Sequence, residues 1–227
     1  MRILFLHHFP LQQSAVGRLV GQWMLALESE GHETRALILD SHSDESPASK
    51  LRVVVCRADD PAADLPFDVP LFSSESSAGR PLTFLTLEND QLAAYRDRIR
   101  RHLDAEIDRF DPHVIHAQHI WVQGQLALET GVPYVLSAWG PELVEYVKDP
   151  RYRTLADQAA ENAGRILAAH QAVFEEVASK FDGLAGRASV MGAELQLDSP
   201  TVTSAIQAEA SRQLVAIYEA VLKERFG

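Results

Sequence analysis

The chain has 227 residues, 46% hydrophobic and 23% charged, which is ample for one α/β core and short of two full domains. Its net charge of −11, with no basic block, excludes the usual electrostatic footprint of a nucleic-acid-binding protein. A lone cysteine, Cys56, rules out an internal disulfide, and no apolar run is long enough to span a bilayer. A cytoplasmic chain with no transmembrane segment is therefore expected.

In chain order, Arg2 to Leu6 reads as a short apolar strand. The loop HHFPLQQSAVG follows, then a helix from about Val16 to Ser29, stopped by Gly31. Glu33 to Leu39 and Leu51 to Cys56 read as strands, with a polar loop between them from Ser41 to Lys50. Ala58 to Arg80 has no period and reads as an irregular excursion. Asn89 or Asp90 is placed to cap a helix running to Phe110, with Leu92, Tyr95, Ile99, Leu103, Ile107 and Phe110 on its apolar face.

The central stretch, Phe110 to Leu143, reads as a βαβ unit. Val114 and Ile115 form its first strand, and the apolar run stops at His116. Trp121 to Thr130 forms a short helix ended by Gly131, and Tyr134 to Ala138 the second strand. Beyond it lie a helix from Asp149 to Ala163, a strand from Arg165 to Ala169, a helix from His170 to Phe181 and a strand from Ala188 to Met191. Ala193 to Pro200 is an extended exit. A long helix from Val202 to Phe226 closes the chain, with Ile206, Ala210, Leu214, Ile217 and Val221 on one face. The alternation predicts a single Rossmann-like α/β domain with a parallel sheet over residues 1–200, and a C-terminal helix, 201–227, packed on it.

The pieces RILFLHHFP, DPHVIHAQHIWV, GVPYVLSAWGPEL, RILAAHQAVFEEVASKF and VMGAELQLDSP, in this order and spacing, resemble the N-terminal half of a GT-B glycosyltransferase of the family 4 type. LVAIYEAVLKERFG resembles the C-terminal helix of the whole enzyme. The resemblance implies the acceptor-side half of a retaining hexosyltransferase, with a nucleotide-sugar as co-substrate and no cofactor or metal. In the family a second, donor-binding domain follows the exit segment and carries two glutamates separated by seven residues. No pair of glutamates in this chain has that separation. The chain thus reads as lacking the donor-binding domain, inactive alone, and needing that domain in trans. The alternative is a non-catalytic module of the same ancestry that binds a sugar, a nucleotide or a protein.

Ligands of open parallel sheets bind beyond the carboxyl ends of the strands. His116, Gln118, His119, Trp121, Trp139 and Glu142 lie at or after such ends. The family often has His-x-His where this chain has His116, Ala117 and Gln118, which nominates Gln118 or His119 as the residue nearest the sugar. Gln118 can bond sugar hydroxyls but cannot shuttle a proton. For His116 the other reading is the end of a buried strand with its ring nitrogens bonded to backbone. Trp139 stands where the family commonly has histidine; it either stacks on a sugar or packs on Trp121. Glu142 follows a proline and reads as opening a helix, its carboxylate complementing the N-terminus. Gly17 keeps one glycine of a phosphate-approaching loop and is otherwise a plain helix-start residue, while Arg18 supplies a cation beside it. His7 and His8 add two histidines, but strand-like neighbours point to opposite faces, which disfavours a shared metal. Phe9, Leu11, Trp121 and Trp139 are expected to leave the strand-end face partly apolar, open to a donor-binding domain or to self-association. No Gly-x-Ser-x-Gly context suggests a hydrolase.

Overall fold

The computed structural model describes residues 1–42, 50–73, 82–184, 186–192 and 204–226. Seven strands form one parallel sheet: β1 (Arg2–Leu6), β2 (Glu33–Asp40), β3 (Leu51–Val55), β4 (Val114–Gln118), β5 (Tyr134–Ala138), β6 (Arg165–Ala168) and β7 (Ala188–Val190). Their order is β3-β2-β1-β4-β5-β6-β7. Every residue of β4 and β5 is buried, as expected of central strands covered on both faces. β4 runs three residues beyond Ile115, so His116 and Gln118 belong to the strand itself. The His116 ring is tolerated there because buried hydroxyls pair both its nitrogens, whereas Gln118 is paired at its carbonyl oxygen alone.

Among the described residues seven helices cover the sheet: α1 (Ala15–Ser29), α2 (Asn89–Phe110), α3 (Gln123–Thr130), α4 (Pro141–Lys148), α5 (Pro150–Asn162), α6 (Gln171–Lys180) and α7 (Ser204–Phe226). The polar 43–49 stretch and the 193–200 exit lie outside the described residues. Glu88, rather than Asn89 or Asp90, is the N-cap of α2, because Gln91 reaches back to the Glu88 amide at 3.0 Å.

Alternate residues along the strands divide the interior into two cores. Leu4, Leu6, Leu37, Ile115 and Leu136 face α2, α3 and α5. Ile3, Phe5, Ile38, Val114 and Val135 face α1 and α7. The buried stripe of α7 is Ala210, Leu214, Tyr218 and Val221. It is rotated from the expected one: Ile217 is only half-buried and Ile206 is 40% exposed. The reason is Tyr218, whose ring fills the groove over β4 and whose hydroxyl meets a buried histidine. Gly164 lets α7 approach, since a Cβ there would stand 2.5 Å from Val221 Cγ1. At the helix end, Arg165 grips Glu224 at 2.6 Å.

The described part of the stretch after β3, 56–73, is irregular, as expected, but it is packed rather than peripheral, while 74–81 lie outside the described residues. Leu65 pairs with Cys56 in an isolated bridge, and Leu71 with Thr83. Leu65, Phe67, Phe72 and Phe84 are all buried in the α2-side core. A short 3-10 turn, Phe84–Thr86, leads into α2. Among the described residues no helix is long and apolar enough to cross a membrane.

Candidate functional site

The sheet changes winding direction between β1 and β4: β1 is flanked by β2 on one side and β4 on the other. Two loops diverge from adjacent strands at such a point and leave a crevice for a ligand. The end of β1 brings His7 and His8 there. The end of β4 brings Gln118 and His119, and the β5–α4 turn brings Trp139 and Glu142.

The three histidines meet. Ring centroids are 5.9 Å apart for His7 and His8, 6.2 Å for His7 and His119, and 4.7 Å for His8 and His119. The expectation that His7 and His8 point to opposite faces is corrected: β1 ends at Leu6, and the two-residue alternation ends with it. All three side chains are buried. Burial holds the His7 and His8 rings well below the ordinary histidine range, and the neighbouring His119 adds to the effect. Gln123 acts in the opposite sense on His8. Both rings are therefore neutral at neutral pH. His7 Nε2 lies 3.1 Å from Ser14 Oγ, while among the described residues Gln123 is the one side chain within hydrogen-bonding reach of the His8 ring and neither His8 nitrogen has a partner of good geometry. His119 has a φ of 75°, a left-handed conformation unusual for a side-chain-bearing residue. Such outliers gather at functional sites. Asp111, also left-handed at 48°, is explained as the stop of α2; no helix stop explains His119. Its Nδ1 approaches Glu142 Oε2 at 3.2 Å without hydrogen-bond geometry. Among the described residues no group of three His, Cys, Asp or Glu is arranged to hold a metal ion.

Glu142 opens α4, as expected, but its carboxylate serves the turn before the helix. Oε1 accepts from the Trp139 amide and Oε2 from the Gly140 amide, each at 2.9 Å. Gln118 Oε1 accepts from Trp139 Nε1 at 3.3 Å, leaving Gln118 Nε2 unpartnered. These contacts tie β4, β5 and α4 into one rigid corner beside the histidines. Trp139 stacks on Trp23 at 6.3 Å and not on Trp121. Trp121 lies on the other side of the sheet, stacked on Tyr152 at 4.1 Å, and donates to the Glu142 carbonyl.

His116 sits deeper. Its Nδ1 is 2.8 Å from Tyr218 Oη and its Nε2 is 2.8 Å from Ser137 Oγ, with Trp23 stacked on the ring at 5.3 Å. Its partners are side chains rather than backbone, and neither nitrogen is left for a ligand. Gly17 is required by close packing: a Cβ there would stand 2.6 Å from Leu11 O and 2.7 Å from Pro10 O. The loop after β1 thus folds over the start of α1, and Ser14 Oγ caps the Gly17 amide at 2.8 Å. Arg18 is exposed on the next residue. The strand-end face is less apolar than expected. Phe9, Leu11 and Trp121 are buried and Trp139 is half-buried, with Phe72 on Phe9, Phe72 and Phe84 on Trp121, and Trp23 on Trp139.

Four residues join the site without a local signal in the sequence. Phe72 stands 4.7 Å from His119 and 4.9 Å from His8, and Phe84 5.4 Å from His8. Gln123 donates to Tyr95 Oη at 3.1 Å and leaves its own carbonyl oxygen unpartnered. Glu145, fully buried, accepts the Ser73 amide on Oε1 and leaves Oε2 unpartnered. His8 was visible only as a possible metal ligand. An open groove of roughly 470 Å³ lies elsewhere, beyond β2 and β3, lined by His42, Arg57, Asp60 and Asp64.

Fold and site together define a doubly wound α/β domain with a buried polar cluster at its switch point. Residues 14–192 match the family described as "Glycosyl transferase 4-like domain", and the chain belongs to that family. No curated protein matches the sequence. Among solved structures, a sucrose-phosphate synthase chain from Thermosynechococcus elongatus superposes with a TM-score of 0.53 at 13% identity, covering 95% of this chain and 99% of that one. A longer chain of the same synthase gives 0.54 at 13% identity, over 84% of this chain and 47% of that one. UDP-GlcNAc 2-epimerase from Neisseria meningitidis, bound to UDP-GlcNAc, gives 0.54 at 10% identity, over 96% and 52%. At these identities the likeness is one of fold. The chain spans about half the length of the two longer neighbours.

Proposed function

We propose that this chain is the acceptor-side half of a glycosyl-transfer system, acting with a donor-binding domain supplied in trans. One observation carries the reading: in a domain of this family, the ends of β1, β4 and β5 converge on buried side chains with unmet hydrogen-bonding capacity. Gln118 and His119 would bond acceptor hydroxyls. Glu142, held by two backbone amides beside His119, would stabilise that ring as it takes the proton of the attacking hydroxyl. Among the described residues the cluster includes no lysine or arginine, and the start of α1 is closed by its own loop. A departing diphosphate needs cations or free helix amides, so that part of the reaction falls to the donor-binding domain.

The complete burial of His7, His8 and His119 favours a second reading, a non-catalytic binding module of the same ancestry. Nucleotide release from a panel of UDP- and GDP-sugars tests the first. The chain alone is expected to release none above buffer. Sustained release would mean that donor chemistry is complete within this chain.

A further inference from the structure

Buried polar groups in folded proteins are almost always hydrogen-bonded, and each exception asks for a cause. Here the exceptions are concentrated. His119 Nε2, Gln118 Nε2 and Glu145 Oε2 lack partners, and the remaining groups are paired poorly: Gln123 alone serves the His8 ring, and His119 Nδ1 faces Glu142 Oε2 at 3.2 Å without hydrogen-bond geometry. All five residues, His8, His119, Gln118, Gln123 and Glu145, are 0–1% exposed. The one phenyl ring that touches both His8 and His119 is Phe72, at 4.9 and 4.7 Å, with Phe9 closer still to His8 at 4.0 Å on the loop after β1. A phenyl ring offers these nitrogens nothing to bond.

Phe72 is held in place by two ties. The amide of the next residue, Ser73, donates to Glu145 on α4. Leu71 is joined to the segment at Phe84 by paired backbone bonds of 3.2 and 3.0 Å, and the Phe84 carbonyl accepts from the buried Tyr152 hydroxyl. Phe84 closes the cluster from the side.

We propose that Phe72 is an internal plug, seated where a neutral, hydroxyl-bearing ring binds over His8 and His119, and that the Glu145–Ser73 contact is the latch that keeps it there. The inference rests on reading the strand-end face as the acceptor side, and it adds the class of ligand and a control on entry. A neutral histidine ring brings one donor and one acceptor; Gln118 Nε2 adds a donor, and Gln123 and Glu145 add acceptors. A hydroxyl group both donates and accepts, so a polyol satisfies this mixture. A phosphate only accepts, and among the described residues of the cluster it would meet the carboxylates of Glu142 and Glu145 and no cationic side chain. With Phe72 displaced, the apolar face of Phe84 suits the C–H face of a sugar ring.

The test follows the histidine Cε1–H resonances in NMR while methyl glycosides of glucose, galactose and mannose, myo-inositol, and inorganic pyrophosphate are titrated. It compares the parent chain with Phe72→Ala, Phe72→Leu and Glu145→Gln. Exposure of His8 to diethyl pyrocarbonate is measured in each. The expected result is that Phe72→Ala lowers the concentration at which a neutral polyol shifts the His8 and His119 signals at least about tenfold. Phe72→Leu and Glu145→Gln shift it in the same direction by less, and they decide the matter if Phe72→Ala fails to fold. Pyrophosphate gives no gain. Equal response of parent and variants overturns the plug while leaving the acceptor-side reading standing. Variants that expose His8 to the reagent yet bind no polyol overturn the ligand class and that reading together. Variants that leave His8 as protected as the parent, or that prefer pyrophosphate, also overturn the proposal.

Discussion

His116 Nδ1 and Tyr218 Oη lie 2.8 Å apart across 102 residues of sequence, and this contact fastens the last helix to the central strand of the sheet. Both side chains are fully buried. Tyr218→Phe keeps the ring but leaves a buried imidazole nitrogen unpaired, which is expected to cost about 1–3 kcal/mol. Ile217→Asp, one residue away and half-buried, is expected to cost less than Tyr218→Asp. Urea unfolding measures each; a larger loss for Ile217→Asp would place the buried face of α7 on the wrong side.

Acid should unfold the chain early. Burial lowers the His116 ring from 6.5 to about 3, and holds His7 and His8 well below their ordinary value. Their folded affinities for protons are depressed, so the unfolded chain takes up protons first as the pH falls. The stability is fully present above about pH 6.5 and is lost progressively below it, by about 1.4 kcal/mol per pH unit for each such histidine. For His116 the loss continues down to about pH 3. Urea midpoints at about pH 7.5 and about pH 5 test this, a window above most carboxylate titration. Equal midpoints would contradict the burial of neutral rings.

The two glycines of α1 should respond in opposite directions. At Gly17 a methyl group would meet the backbone of Pro10 and Leu11 at 2.6–2.7 Å, and backbone cannot rotate away. Gly17→Ala is expected to destabilise by about 1–3 kcal/mol. At Gly21 nothing lies within 4 Å of the added Cβ. Gly21→Ala should therefore stabilise, by up to about 1 kcal/mol of helix propensity. Thermal melts of the two variants check the pair. Equal effects would mean that the loop after β1 does not fold over the helix start.

The strands were legible in the sequence because their apolar runs are short and punctuated, and β5 matches residue for residue. The helix faces followed from periodicity, except on α7, where spacing alone does not separate Ile217 from Tyr218 as the centre of the buried stripe. The site was legible in part. Gln118, His119 and Glu142 could be placed at strand ends because the βαβ pattern locates those ends. The convergence of His7 and His8 on His119 could not, since it depends on where β1 stops and on a left-handed residue after β4. Phe72 reaches the cluster from an aperiodic stretch 47 positions before His119, and only the path of the chain across the sheet brings them together. The partners of His116 come from β5 and α7, which no local pattern links to β4.

Saturation-transfer NMR on the isolated chain, with methyl glycosides, UDP and GDP present together, tests most directly whether this is the acceptor side. The account predicts that saturation reaches the glycoside ring protons, weakly in the parent chain, that it does not reach the nucleotide base protons, and that His119→Ala abolishes the glycoside signal. Saturation of the uracil or guanine protons with no signal on any glycoside would contradict it.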